Sequence, residues 1–349
     1  MNTSKTHAQL QQTITKLVDN KKIFGVSASI ESGDGSLAFI GSAGNLQRES
    51  QYFIASTTKI YVTAIIMKLR QDGKLSLDDR ISKYIDQQIL QNLLVFKGVD
   101  YSNEITIRQL LAHTSGLPDY FQQKKASGKS LQDELTAGKD QSWTFEKVIE
   151  EVKKMKPTFK PGTPGKALYS DTNYQILGRI IETITNQKIS VVLKEFIFEP
   201  LGLKQTYLYE NSQDTAPATL YFKTNPLPIP LAMISFGPDG GIVSTSSELM
   251  TFLKAFFKGD LFPLEYFGEM KRWNKIFFPL EYGVGVSRFK LPRLFSPLKP
   301  TPELLGHSGL SGAFAFYCPE KDVYLAGTVN QINSPETSFM LMMQLLTQL

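Results

Sequence analysis

Cysteine is almost absent. Cys318 stands alone among 349 residues, so no intramolecular disulfide can form and no cysteine-based metal site can be built. It ends the apolar run Ala313-Phe314-Ala315-Phe316-Tyr317-Cys318, the setting of a buried strand thiol rather than a nucleophile. Histidine is nearly as scarce. His7, His113 and His307 each lack a neighbouring His or Glu at metal-ligand spacing, so no metal and no cofactor is implied. Long hydrophobic runs are missing too. Within the first hundred residues the longest, Ile60 to Met67, is bracketed by Lys59 and Lys68 and is too short to span a bilayer. Met1 to Lys22 is polar and amphipathic, without the apolar core and small-residue cleavage site of a signal peptide. As the chain stands it reads as cytoplasmic; a periplasmic or secreted protein whose leader had been removed would look the same. An excess of one charge is also lacking. The 38 Lys and Arg against 33 Asp and Glu leave +5, spread along the chain, which argues against a nucleic-acid partner. The densest basic stretch, Lys153, Lys154, Lys156, Lys160 and Lys166, fits a solvated helix end and loop.

What is present is an ordinary globular composition, 42% hydrophobic and 20% charged. The length suits one large domain or two sharing an interface. Leu10, Ile14, Leu17 and Val18 recur at helical spacing within Ala8–Lys21. Val26, Ala28 and Ile30 then alternate with Ser27, Ser29 and Glu31, as in a half-buried strand. Gly33-Asp34-Gly35 turns the chain into a returning strand, Leu37–Ile40. Near the other end, Tyr282–Phe289, Ala313–Cys318 and Val323–Val329 read as three more strands. Ser334-Pro335 then opens a final helix through Leu349, with Ser334 as N-cap. Short turns favour antiparallel pairing, so both chain ends are expected in one antiparallel sheet with the terminal helices on one face. Between them, helical patterns at Ile105–Ala112, Thr144–Lys154, Tyr174–Ile184 and Val191–Phe198 are separated by Pro/Gly-rich connections. The expected fold class is therefore α+β. Residues 1–74 and 225–349 form the sheet domain, 75–224 a mostly helical insertion, and the cleft between them holds the site.

Three short motifs could carry chemistry. In Ala55-Ser56-Thr57-Thr58-Lys59, Ser56 sits at or just before a helix N-terminus, and Lys59 shares its helix face. The helix-end field stabilises a developing alkoxide and favours proton removal from serine. The same residues also fit a plain N-cap serine and a solvated first-turn lysine. In Tyr169-Ser170-Asp171, a phenol and a carboxylate stand just ahead of a helix. A tyrosine beside an ammonium can titrate low enough to act as a base, although a buried tyrosine and a capping aspartate fit as well. In Gly306-His307-Ser308-Gly309-Leu310-Ser311-Gly312, three glycines entering a strand mark a place of close backbone approach, where N–H groups can face an oxyanion. Ser308 is no nucleophile-elbow serine, because Gly-x-Ser-x-Gly fails at Leu310.

Taken together and in this order, the motifs resemble those of the penicillin-recognising serine hydrolases. The chain is most similar to the class C β-lactamase-related group of esterases, D-alanyl-D-alanine carboxypeptidases and D-aminopeptidases. Ile105-Thr106-Ile107-Arg108-Gln109-Leu110-Leu111-Ala112-His113-Thr114-Ser115-Gly116-Leu117-Pro118, Asp239-Gly240-Gly241-Ile242-Val243-Ser244-Thr245 and Tyr282-Gly283-Val284-Gly285 extend the likeness over about residues 20 to 345. The resemblance implies a five-stranded antiparallel sheet flanked by helices, with an inserted helical domain. It implies Ser56 as nucleophile, Lys59 as its partner, and Tyr169 as general base and donor to the leaving group. The oxyanion would rest on the backbone N–H groups of Ser56 and Leu310. Asp171, His307, Ser308 and Gly309 would face substrate, and His113 and Ser115 would be structural turn residues. Asp171 departs from the family's frequent Tyr-x-Asn, and His307-Ser308-Gly309 from the Lys-Thr-Gly of β-lactamases. Both departures point away from efficient β-lactam turnover. The expected activity is that of an acyl-enzyme hydrolase on a small-molecule ester or D-amino-acid peptide. The alternative is a non-catalytic penicillin-binding or sensor protein with the same fold. Specificity would rest on loops such as Gly128–Ser142 and Leu261–Phe278.

Overall fold

A computed structural model of the chain describes residues 3–291, 294 and 301–349. Eight antiparallel strands form the main sheet. In chain order they are β1 (Gly25–Ser32), β2 (Ala38–Gly44), β3 (Asn274–Phe277), β4 (Leu280–Tyr282), β5 (Ser287–Phe289), β6 (Leu304–Ser308), β7 (Ala313–Cys318) and β8 (Val323–Thr328). Their order across the sheet is β3-β4-β5-β6-β7-β8-β1-β2, so the two ends of the chain pair at β1 and β8, with Ser27 opposite Thr328.

Three strands beyond the expected five come from one strand that splits, from the segment around Gly306, and from β3, which lies in a stretch read as a loop. The stretch Tyr282–Phe289, read as one strand, folds back on itself as β4 and β5. Gly285 sits in the turn at φ +82, a conformation that L side chains resist, and its N–H reaches the Leu111 carbonyl. The segment around Gly306, read as a strand entry, is itself the strand β6.

The period-two pattern decides what each face buries. Val26, Ala28, Ile30, Phe314, Phe316, Val323 and Leu325 pack under the two terminal helices, α1 (Thr3–Leu17) and α5 (Pro335–Leu346). Pro335 is the first helical residue as expected, but the Ser334 side chain makes no capping bond. The opposite face is built from small residues, Ser27, Ser29, Ala313, Ala315 and Ala326, all buried. They let α4 (Ser246–Lys258) lie close, with Ser27 Oγ 2.8 Å from Ser246 Oγ. Ala313, Ala315 and Ala326 join a large apolar cluster that runs on through α2 (Thr58–Gln71) and α3 (Asp171–Thr185) into the middle of the chain. Its shorter helices, Ile107–Leu111 and Phe145–Lys153, begin at Thr106 and Thr144 caps. Cys318 is buried in β7, and its thiol is pushed up by that burial.

The packing of α5 gives a stability test. Leu341 is fully buried against the sheet, whereas the adjacent Met340 is 51% exposed. Leu341→Ala is expected to cost about 2–5 kcal/mol and Met340→Ala less than about 0.5 kcal/mol, read as shifts in urea midpoint at unchanged slope.

Candidate active site

Ser56 lies in a short 3₁₀ turn, Ala55–Thr57, that feeds α2. Ala55 is held at φ +46, a strained setting for a non-glycine residue and one that clusters at functional sites. The N-cap position of α2 belongs to Thr57 and carries no side-chain capping bond. Ser56 is therefore not that helix's cap, and its hydroxyl turns to Lys59 instead. Lys59 is completely buried. An ammonium has three donors, and three acceptors surround it: Ser56 Oγ at 3.2 Å, the Asp239 carbonyl at 2.6 Å and Asp171 Oδ1 at 2.6 Å. Burial by itself pushes the Lys59 pKa down. The Asp171 carboxylate, foremost among the groups around it, outweighs burial and holds the amine above its ordinary value, so Lys59 rests protonated.

Asp171 is the first residue of α3, where the helix N-terminus favours a carboxylate. The residue before it, Ser170, occupies the cap position and donates its hydroxyl to the Pro118 carbonyl. Tyr169 precedes both, its ring centre 5.3 Å from Lys59 Nζ and 4.4 Å from the His113 ring. Burial raises the Tyr169 pKa, and the opposing pull of Lys59 does not reverse it. The expectation of a low-titrating phenol is thus corrected: Tyr169 rests neutral, because desolvation penalises the phenolate more than the neighbouring ammonium favours it. His113 holds this segment in place. Its Nδ1 accepts the Ser170 N–H at 3.1 Å and lies 3.0 Å from Asn173 Nδ2, while Ser115 Oγ donates to Asn173 Oδ1 at 2.7 Å. Both are buried structural residues at a turn.

The third motif lies on β6 and the turn beyond it. His307 Nδ1 is 2.7 Å from the Ser308 carbonyl, which can only accept, so this nitrogen carries the proton. Its Nε2 then accepts the Tyr282 hydroxyl at 3.0 Å, and Tyr282 in turn lies 3.1 Å from the Tyr174 hydroxyl. Gly309 allows a close approach that no other residue could: a Cβ there would stand 2.3 Å from the Ile54 carbonyl oxygen. On the other side of Leu310, Ser311 Oγ donates to the Phe53 carbonyl at 2.6 Å. Leu310 is thereby flanked by two ties to the segment leading into Ser56.

Two pockets meet at the serine, sharing Ser56, Gln122 and Leu310 in their walls. The smaller is lined by Phe121, Leu135, Met233 and Phe236, with Asp171 and Asp239 as its carboxylates. The wider groove runs past Tyr169 and His307 to Phe277, Phe278, Phe289 and Phe339. Both loops singled out for specificity reach the site, through Gln132, Leu135 and Thr136 in one and Phe277 and Phe278 in the other.

A family model described as Beta-lactamase matches residues 10–342. The chain belongs to the Beta-lactamase family. This bears out the resemblance to penicillin-recognising serine hydrolases. A candidate D-alanyl-D-alanine carboxypeptidase of Escherichia coli (strain K12) is 34% identical over 156 residues, 44% of this chain and 33% of that protein. The match thus takes in about a third of that curated relative's length. Among solved structures, a D-stereospecific amidohydrolase from a Streptomyces species superposes with a TM-score of 0.76 at 25% identity, covering 95% of this chain and 97% of that one. A D-amino acid amidase from Ochrobactrum anthropi SV3 shares the fold at a TM-score of 0.80 and 21% identity, covering 99% and 98%.

Several residues of this Beta-lactamase family site had no signal of their own in the sequence. Asp119 accepts the Asp171 and Gln122 backbone N–H groups at 3.0 and 2.9 Å. Asp239 Oδ2 accepts from Tyr120 at 2.8 Å and from Gln175 at 3.0 Å, leaving its Oδ1 buried without a partner. Burial and the Asp171 charge push Asp119 up to about 7 and Asp239 well above the usual carboxylate range. Asp239 opens one of the stretches that carry the family likeness, yet its position beside Lys59 depends on packing between distant segments.

Burial and then the Lys59 charge push His307 down to about 3, and His113 also falls well below its ordinary value. A pKa below the working range leaves the neutral form in place, so neither ring gains a proton between pH 8 and pH 5. Histidine-labelled NMR is expected to show both keeping neutral-tautomer ¹⁵N shifts across that range. A His307 signal titrating near pH 6.5 would contradict the burial described.

Proposed function

We propose that this chain is a serine hydrolase that forms an acyl-enzyme on Ser56. The observation that carries the reading is the buried Lys59 ammonium joining Ser56 to Asp171 where two pockets meet. Resting protonated, Lys59 becomes a base when its proton passes to Asp171 across their 2.6 Å contact. It then takes the Ser56 proton as Oγ bonds to the substrate carbonyl carbon. The oxyanion falls to the backbone N–H groups of Ser56 and Leu310. Neutral Tyr169 gives its phenol proton to the leaving group and recovers one from Lys59, and Asp171 then hands back the proton it took from Lys59, which returns the site to its starting charges. Water on the same path releases the acid.

Tyr169 lines the wider groove and Asp171 the smaller pocket. The leaving group therefore belongs in the groove and the acyl part in the pocket. Both walls are largely apolar, and no Lys or Arg lines either among the described residues. With His307 uncharged, the reading favours neutral esters and amides, including D-amino-acid derivatives, over β-lactams and peptides that present a carboxylate. Walls drawn from the sheet, such as Phe289 and His307, and from the middle of the chain, such as Phe121 and Leu135, support a two-part organisation. A second reading, a non-catalytic penicillin-binding or sensor protein, draws on the same ion pair: a lysine that never releases its proton acylates slowly.

Intact mass spectrometry after mixing with p-nitrophenyl acetate and, separately, with benzylpenicillin decides between them. Rapid ester turnover with a transient adduct on Ser56 supports the hydrolase, and a penicilloyl adduct that persists supports the sensor. Ser56→Ala is expected to remove all labelling and to lower turnover at least about 10³-fold. Labelling that survives this substitution would sink the assignment.

A further inference from the structure

The two arms of the cleft differ in size, and the larger exceeds what the chemistry at Ser56 requires. The smaller pocket has about 60 Å³ of room and the wider groove about 760 Å³. From Ser308 on β6 the groove crosses β5 and β4 to Phe277 on β3, three strand spacings or about 14 Å. The register sets Tyr282 beside Ser287 and Leu280 beside Phe289. Hydroxyls therefore stand at the inner end, near His307, with bulky apolar side chains beyond them. Those hydroxyls are already engaged: Ser287 Oγ donates to the Gly306 carbonyl at 2.6 Å and Tyr282 to His307 at 3.0 Å. Across from the sheet, α5 supplies Phe339, Met340 and Met343, with Phe339 stacked on Phe289 at 4.6 Å. Among the described residues that line the groove only Glu336 is charged, and it is exposed. Phe277 and Met340, in the same wall, are 54% and 51% exposed. Such a surface gains from an apolar occupant and offers little to a polar one.

Ser56 and Tyr169 belong to the same wall, so a chain lying in the groove ends at the reacting atoms. We infer that the groove holds a long, unbranched apolar chain on the leaving-group side, and that the substrate is a short-acyl ester or amide of a long-chain alcohol or amine. The inference rests on the acyl-enzyme reading and names its leaving group. With bonds of about 1.5 Å, a zigzag chain of about ten to twelve carbons spans the groove. The smaller pocket, walled by Phe121, Leu135, Met233 and Phe236, restricts the acyl part to a short group. In the reaction Ser56 Oγ bonds to the acyl carbon, and the bond from that carbon to the chain's oxygen or nitrogen breaks. The chain departs with the Tyr169 proton, and water then releases the short acid. Each methylene moved from water into these walls favours binding about three- to fourfold. That gain persists to the transition state, because the chain stays in place while its bond breaks.

The test uses alkyl esters below their solubility limits. The wild-type kcat/KM is expected to climb from methyl through butyl to octyl propanoate, at least about 10²-fold overall. Octyl propanoate is expected to exceed propyl octanoate at least about 10-fold; the two are isomers, so general hydrophobicity cannot produce the difference. Phe277→Glu combined with Met340→Glu, both at exposed positions, is expected to lower the preference for decyl over butyl propanoate at least about 5-fold. A flat series, as a groove covered by a second copy would give, overturns the inference. So do equal values for the isomers, or a double variant that leaves the preference unchanged. Binding separates these outcomes from failure of the catalytic reading. Calorimetry on Ser56→Ala should show 1-octanol binding at least about 10-fold more tightly than 1-butanol. Equal affinities would overturn the chain site even if Ser56 proves to be the nucleophile. A clear preference for octanol in a wild-type protein that hydrolyses none of the esters supports the chain site and counts against the acyl-enzyme instead.

Discussion

One buried ammonium organises this molecule. Lys59 has no access to water, so its charge survives only because three acceptors from three parts of the chain enclose it: the turn leading into its own helix at Ser56, the start of α3 at Asp171, and the turn at Asp239. Desolvating such an ion costs several kcal/mol, and the surrounding negative charge must offset that cost. This condition fixes where the three segments meet. It also couples fold to chemistry, because the group that locks the segments together is the one that, in the proposed mechanism, must release a proton for Ser56 to react. The two roles pull against each other: the better the ion pair, the poorer the base.

The remaining parts of the site follow from the sheet. Pairing between β6 and β7 leaves a tight turn at residues 309–312, where the Gly309 N–H reaches the Ala313 carbonyl at 2.7 Å and the Gly312 N–H reaches Gly309 at 3.0 Å. With no Cβ at Gly309, that turn presses against Ile54, and the segment leading into Ser56 becomes the opposite wall. The proposed oxyanion position is thus a product of sheet register. The hydroxyl series Tyr174, Tyr282 and His307 does similar work on the other flank. Each member satisfies the next, so a neutral histidine stays oriented without a charged partner.

The motifs were legible because they are local. Ser56 and Lys59 lie one turn apart, Tyr169 and Asp171 frame a helix start, and the glycines around His307 announce a close backbone approach. The strands were legible where the side-chain period was strict, as in Val26–Ile30 and Ala313–Cys318. What the sequence misjudged depends on contacts made across the chain. Gly285 turns one expected strand into two because its N–H finds Leu111, far away in sequence. Asp119 carries no neighbouring pattern that marks it, and Asp239 opens a family-like stretch that does not reveal its role; folding brings one to the Asp171 backbone and the other to Lys59. The Tyr169 phenol was assigned the wrong direction of shift for the same reason: the neighbouring lysine can be read from a motif, whereas the depth of burial cannot.

Two departures from the family pattern have the same electrical sense. Where β-lactamases usually carry a lysine in the third motif, this chain has His307, and its surroundings keep the ring uncharged. Where the family often has a neutral asparagine in the second, this chain has Asp171. One change removes a positive charge from the substrate-facing surface and the other adds a negative one. Both changes make the cleft less favourable to an anion. They agree in sign on opposite arms of one cleft, so their effects on the potential felt by a bound ligand add rather than cancel, with Ser56, Lys59 and Tyr169 between them.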